Sequence, residues 1–228
     1  MCWHLIRLAV GEAKRMNWAL RVFFSSIGKK IVMAVTGLMF CLFLGVHLIG
    51  NLTLYGGADP FVAYSARLHS LGPVVNIIEL GLLLFAVLHV SLASILYIEN
   101  LRARPVGYVV KKTRGGRTWS SALMPYTGLY LLLFVIIHLF TFHFVDRTNQ
   151  TIYQIVVQAF SKPGYVIFYV LSTVVAAVHI KHGLWSSFQT IGANHPKYMP
   201  VIKGGSLLFS IGIAVGFGSI PLFVMVAR

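Results

Sequence analysis

The sequence predicts an all-α integral membrane protein: five transmembrane helices in one bundle, with the N-terminus on the cytoplasmic side. Three observations carry that expectation. Of 228 residues 57% are hydrophobic and 11% charged, with a mean hydropathy of +0.81, which leaves too few polar side chains to cover a soluble globule. The apolar residues gather into five runs of about twenty, the length that crosses a bilayer core of about 30 Å at about 1.5 Å per residue. Cationic residues collect between alternate runs.

Taken in order, residues 1–30 read as a cytoplasmic and interfacial segment. Trp3, Leu5, Trp18, Phe23 and Phe24 are expected at the interface, with Arg7, Lys14, Arg15 and Arg21 among headgroups. Charges interrupt every apolar stretch here and no small-residue cleavage site follows, so no signal peptide is expected. The spans are expected over 31–54, 74–98, 121–144, 165–188 and 207–227. They are helical because backbone groups in lipid must be hydrogen-bonded within their own segment. Turns are expected at 55–60, over 102–117 with Gly115 and Gly116, over 192–200, and at Gly204 and Gly205. No soluble domain is left over, so residues 1–228 form a single transmembrane domain.

Orientation follows from charge. The N-terminal arm holds Arg7, Lys14, Arg15, Arg21, Lys29 and Lys30, and the loop after the second span holds Arg102, Arg104, Lys111, Lys112, Arg114 and Arg117. Lys197 and Lys203 follow the fourth span, whereas the opposite loops carry only Arg67, Arg147 and Lys162. By the positive-inside rule the N-terminus is cytoplasmic and the C-terminus outside. The 19 Lys and Arg against five Asp and Glu thus express orientation and lipid contact. No basic stripe with interleaved aromatics points to nucleic acid. Two cysteines, Cys2 and Cys41, supply neither a disulfide framework nor a CxxCH attachment site.

Four histidines, His47, His89, His138 and His179, stand one in each of the first four spans. Ionisable side chains inside a membrane are costly and normally face the bundle interior or a pathway. A single one is as well explained by a hydrogen bond to a neighbouring helix; four in separate spans are not. Spans one and three run outward, which places His47 and His138 in the outer half. Spans two and four run inward, which leaves His89 and His179 each about nine residues from its cytoplasmic end. The two levels differ in depth by on the order of 10 to 15 Å. The histidines therefore sort into His47 with His138 and His89 with His179. A b-type haem clamped between helices takes one axial histidine from each of two helices at matched depth, and both pairs meet that condition. The expected cofactors are two bis-histidine haems b, held without covalent attachment. Gly37, Gly45, Gly81, Gly128, Ala176 and Ala177 could admit a flat macrocycle, although close helix packing explains each equally well.

The segment 29–52, KKIVMAVTGLMFCLFLGVHLIGNL, with Thr36 and Gly37 eleven and ten residues before His47, resembles the first span of a known family. It is similar to the single-chain, five-helix di-haem cytochrome b anchors of succinate dehydrogenase and fumarate reductase. LHSLGPVVNIIELGLLLFAVLHV (68–90) followed by ENLRARPVGY (99–108) resembles the second span and its basic loop, and YTGLYLLLFVIIHL (126–139) the third. HIKHGLWSSFQTIG (179–192) is similar to the family's HxxxG pattern, and the likeness extends over about 25–205. The resemblance implies that His47 and His138 ligate a distal haem iron and His89 and His179 a proximal one. It implies a flavoprotein subunit with the dicarboxylate site and an iron–sulfur subunit, both on the cytoplasmic face. It also implies a quinone as substrate, expected to be menaquinone, and a place as a multi-pass protein in the cytoplasmic membrane of a prokaryote. Succinate or fumarate chemistry would then belong to another subunit, since this chain has no dinucleotide fingerprint or cysteine cluster.

His182 stands one turn from His179 and is a competing ligand; the family's HxxxG spacing to Gly183 favours His179. His182 and Lys181 then become candidate propionate or quinone contacts, as do Lys29, Lys30, Ser25, Ser26 and Trp119 for cationic and hydroxyl partners of proximal propionates. Glu79 is the one carboxylate well inside a span and a candidate proton relay or quinone-site residue, with pairing to a histidine or Arg67 as its alternative. Where some family members carry a second Glu, this chain has Ala177, which puts a proton path through that position in doubt. His69, Arg67 and His143 are expected at the outer headgroups or the distal propionates, His4 and His195 in solvated loops. Three rivals stand beside this: another di-haem quinone-linked cytochrome b, an ion or metal transporter with a histidine relay, and a purely structural membrane anchor, which leaves the four histidines unexplained. The transporter predicts broken helices near midplane and an internal repeat, and neither is expected.

Overall fold

The computed structural model describes residues 18–103 and 119–227. Trp3, His4, Leu5, Arg7, Lys14 and Arg15 of the N-terminal arm, and Arg104, Lys111, Lys112, Arg114 and Arg117 of the basic loop, lie outside the described residues. Within them the chain is helical and holds no strand. The helices are α1 (Trp18–Phe24), α2 (Ser26–Leu52), α3 (Ala58–His69), α4 (Pro73–Arg102), α5 (Trp119–His138), α6 (Ile152–Phe160), α7 (Pro163–Thr190) and α8 (Met199–Val226). Five of them, α2, α4, α5, α7 and α8, are long and apolar enough to cross a membrane.

These spans begin earlier than expected. At α2 the Ser25 hydroxyl accepts the Gly28 N–H at 3.0 Å, a cap that starts the helix before Lys29 and Lys30 rather than after them. Helix α8 starts at Met199 and runs straight through Gly204 and Gly205, which the sequence marks as a break. A glycine costs a helix only about 1 kcal/mol relative to alanine, less than an unpaired backbone group in lipid. The turn expected over 55–60 is also shorter than predicted. Thr53–Gly56 forms a 3-10 turn, Gly57 takes φ 92°, and α3 begins at Ala58. That left-handed φ is the conformation glycine adopts without steric cost.

Helices α3 and α6 were not expected. Both are short segments that pack against each other across the end of the bundle opposite Lys29 and Lys30, here called the capped end; the other is the basic end. Helix α6 starts in a capping box, with the Thr151 hydroxyl accepting the Gln154 N–H and the Gln154 side chain accepting the Thr151 N–H. Beneath them Leu54, Phe61, Val156, Phe160, Tyr169 and Ile220 form the main buried apolar cluster.

Helix α2 packs against α4, α7 and α8, and α5 packs against α7, while α4 and α5 touch only sparingly. The α7–α8 seam is the most extensive and is made of small residues. Thr173, Ser206 and Ser210 are buried on these helices, each donating its hydroxyl to a carbonyl of its own helix at 2.8 Å. Hydroxyls satisfied within their own helix let two backbones approach closely without stranding a polar atom. The outward faces are apolar instead: Ile49 is 69% exposed, Leu80 67% and Leu208 72%. A continuous apolar surface of this kind fits lipid and not water, so this is a multi-pass membrane protein in contact with lipid.

Candidate functional site

The four span histidines project into the bundle and are partly buried. His47 on α2 and His138 on α5 face each other toward the capped end, with ring centroids 6.1 Å apart and ring planes at 89°. Two imidazoles bonding one metal ion from opposite sides, each through a nitrogen about 2 Å away, have centroids about 6 Å apart. His89 on α4 and His179 on α7 both stand toward the basic end, each beside a threonine of another span. His47 and His138, which the sequence pairs by depth, are thus neighbours in space.

Aromatic rings enclose the capped-end pair. Phe43 stacks on His47 at 5.2 Å and Phe217 lies at 5.5 Å; Phe142, Phe134 and Tyr169 surround His138 at 5.3, 5.8 and 6.0 Å. Asn51 donates to the His47 carbonyl at 2.8 Å and its amide stands 3.4 Å from His47 Nε2. His138 Nδ1 is buried without a hydrogen-bond partner. Directly after His138 the helix widens into a π turn, Leu139–His143, an irregularity that recurs at functional sites. Arg147 donates to the Phe142 carbonyl at 2.6 Å.

The basic-end pair is held differently, and in duplicate. Thr36 Oγ1 lies 3.0 Å from His89 Nδ1, and Thr127 Oγ1 lies 3.0 Å from His179 Nδ1. The glycine after each threonine leaves room for the same ring: a Cβ at Gly37 would lie 3.3 Å from His89 Cε1, and one at Gly128 would lie 3.5 Å from His179 Cε1. Behind this symmetry is a repeat in the sequence. Thr36-Gly37-Leu38 precedes His47-Leu48 by the same eleven-residue step as Thr127-Gly128-Leu129 precedes His138-Leu139. An internal repeat is thus present where none was expected: α2 and α4 form one hairpin, α5 and α7 the other. Eleven residues make about three helical turns and about 16 Å. Threonine and histidine therefore share a helix face, one at each level.

Other predicted residues are dispersed. Lys29 pairs with Glu99 of α4, tying the start of one span to the end of another. Lys30 is exposed, and Trp119 is 88% exposed at the start of α5. His182 packs edge-on against Trp185 at 5.0 Å, with Lys203 Nζ 5.0 Å from the centre of the same indole; its Nδ1 is buried without a partner. No hydrogen bond or ion pair joins Lys29, Lys30, His182 and Trp119 to one another among the described residues. Ser25 serves as the α2 cap and Lys181 is exposed. Glu79 Oε1 stands 3.8 Å from His143 Nδ1 at the capped end, and His69 Nε2 faces Arg147 at 3.5 Å. Glu79 therefore has a histidine beside it rather than Arg67.

At the capped end the donor set fits a haem. Two imidazoles from different helices stand 6.1 Å apart there, and at the basic end two glycines clear the space beside the two rings. Among the described residues no three His, Cys, Asp or Glu side chains converge as a bare-ion site. Comparisons with protein-family models, with curated proteins and with solved structures found no match.

Proposed function

We propose that this chain is the membrane anchor and electron-transfer subunit of a succinate:quinone oxidoreductase, either succinate dehydrogenase or fumarate reductase. In this reading it binds two haems b and conducts electrons between an iron–sulfur subunit and a membrane quinone. The observation that carries it is the meeting of His47 and His138 from two spans, 6.1 Å apart, with His89 and His179 toward the other end of the bundle. His47 and His138 would hold the haem at the capped end, His89 and His179 the one at the basic end. When bound, haem supplies a one-electron carrier at each level.

The chain's own residues bind, orient and insulate. The aromatic collar of Phe43, Phe134, Phe142 and Phe217 keeps water from the capped-end rings, and Thr36 and Thr127 fix the basic-end rings. Quinone chemistry couples electrons to protons, and Glu79 beside His143 gives the capped end a carboxylate–imidazole couple able to hand a proton on. The iron–sulfur and flavoprotein subunits would dock at the basic, cytoplasmic end, where Lys30, Lys197 and Lys203 lie. The motif resemblance supports these partners and the quinone.

The transporter reading gains the repeat it calls for, but not its other requirement. Helices α2, α4 and α7 run unbroken through their histidines, and the irregular turn of α5 begins only after His138. Affinity purification of the tagged chain from its native membranes tests the proposal. A flavoprotein and an iron–sulfur protein should co-purify and reduce a quinone analogue with succinate, or fumarate with a quinol. Isolation of an assembled, haem-loaded chain with no such partners would contradict it.

A further inference from the structure

We propose that Thr36 and Thr127 are positioning residues for the basic-end histidines, and that each TGL-x8-H unit serves both haem levels at once. This rests on the haem reading above. Each threonine hydroxyl has one proton, and in both it is directed to its own helix. Thr36 Oγ1 donates toward the Val32 and Met33 carbonyls at 2.9 and 3.0 Å. Thr127 Oγ1 does the same toward Leu123 and Met124 at 3.0 and 3.2 Å. With that proton given to the helix carbonyls, the oxygen offers the imidazole a lone pair, and the proposal makes His89 Nδ1 and His179 Nδ1 the donors. That assigns the proton to Nδ1 in each ring and leaves Nε2 as the unprotonated nitrogen, the form that bonds a metal.

The arrangement crosses between helices. Thr36 on α2 holds His89 on α4, and Thr127 on α5 holds His179 on α7, while the histidine eleven residues along the same helix serves the other level. Gly37 and Gly128 complete the cradle, since a larger residue would press on the ring that the threonine orients. The capped-end pair has no counterpart: His138 Nδ1 has no partner, and Asn51 approaches His47 at Nε2 rather than Nδ1. The two levels are therefore unequal by construction. A hydrogen bond from a ligand's outer N–H orients the ring and raises its basicity, and losing such a bond costs about 10- to 100-fold in metal affinity or activity.

The test is Thr36→Val, which keeps the shape and removes the oxygen, alongside Thr36→Ser and Thr127→Val, in the complete complex in native membranes. The readouts are haem content, an optical redox titration and the low-spin ferric resonance signal, with the basic-end component assigned as the one absent from His89→Ala. Thr36→Val and Thr127→Val should each raise the midpoint potential of the basic-end haem, or loosen that haem by about 10- to 100-fold. The capped-end haem should keep its potential and so report correct assembly in the same sample. Thr36→Ser should restore the wild-type value. Two haems with unchanged potentials in both valine variants, or equal shifts at both levels, would overturn the positioning role while leaving the haem reading intact. Should Thr36→Val fail to accumulate, Thr127→Val decides by the same criterion. A wild-type chain without haem would instead overturn the reading beneath it.

Discussion

At the scale of the residue, His47, His89, His138 and His179 are legible in the sequence because an ionisable ring in a membrane span demands an explanation. Thr36 and Thr127 are not legible in that way. A span threonine ordinarily bonds back to its own helix, as both do here, and only the fold shows that a histidine from the next span shares the oxygen. The signal that could have found them is the repeated eleven-residue step to His47 and His138, visible only when the two hairpins are aligned. The glycines beside them carry a prediction. Gly128 has ordinary contact distance to spare, 3.5 Å from a Cβ to the His179 ring, which the γ-methyls of valine would exceed. Gly128→Val should displace that ring and remove the basic-end haem component from the difference spectrum, leaving the capped-end component in place. Retention of both components would show that the cradle is not tight.

At the scale of the element, the five spans were legible because length and apolarity alone define them. Their starts were not, since a Ser25 cap and the requirement to pair backbone in lipid outweigh the lysines and glycines that mark breaks in soluble chains. Helices α3 and α6 escaped notice for a different reason. They lie across the end of the bundle and, at 12 and 9 residues, are shorter than a span. Their packing is close: a Cβ at Gly50 would lie 2.5 Å from the Tyr64 ring of α3. Gly50→Leu should therefore cost about 1–3 kcal/mol of overpacking, seen as a lower melting temperature in detergent and earlier loss of the capped-end haem on heating. Thr151→Ala, which removes the α6 cap, should cost about 1 kcal/mol. An unchanged melting temperature in both variants would mean that the cap does not contribute to the bundle's stability.

At the scale of the whole molecule, two similar hairpins and a fifth helix form a bundle whose interior carries histidines at two depths about 16 Å apart. The eleven-residue Thr–His step sets that separation. Orientation is a separate expectation, resting on the cationic loops. In a chain freed of its own cysteines, Ser70→Cys at the capped end should react with an impermeant maleimide in intact cells, and Ala193→Cys only after the membrane is opened. The reverse pattern would invert the topology and move the proposed docking face to the other side.

The central claim is that the two histidine pairs each hold one haem, and pyridine haemochrome quantitation of the purified, assembled chain measures it most directly. The wild type should carry two b haems per chain, and His47→Ala and His89→Ala one each, with different components missing from their reduced-minus-oxidised spectra. A wild type with no haem, or histidine variants that both keep two, would contradict the account.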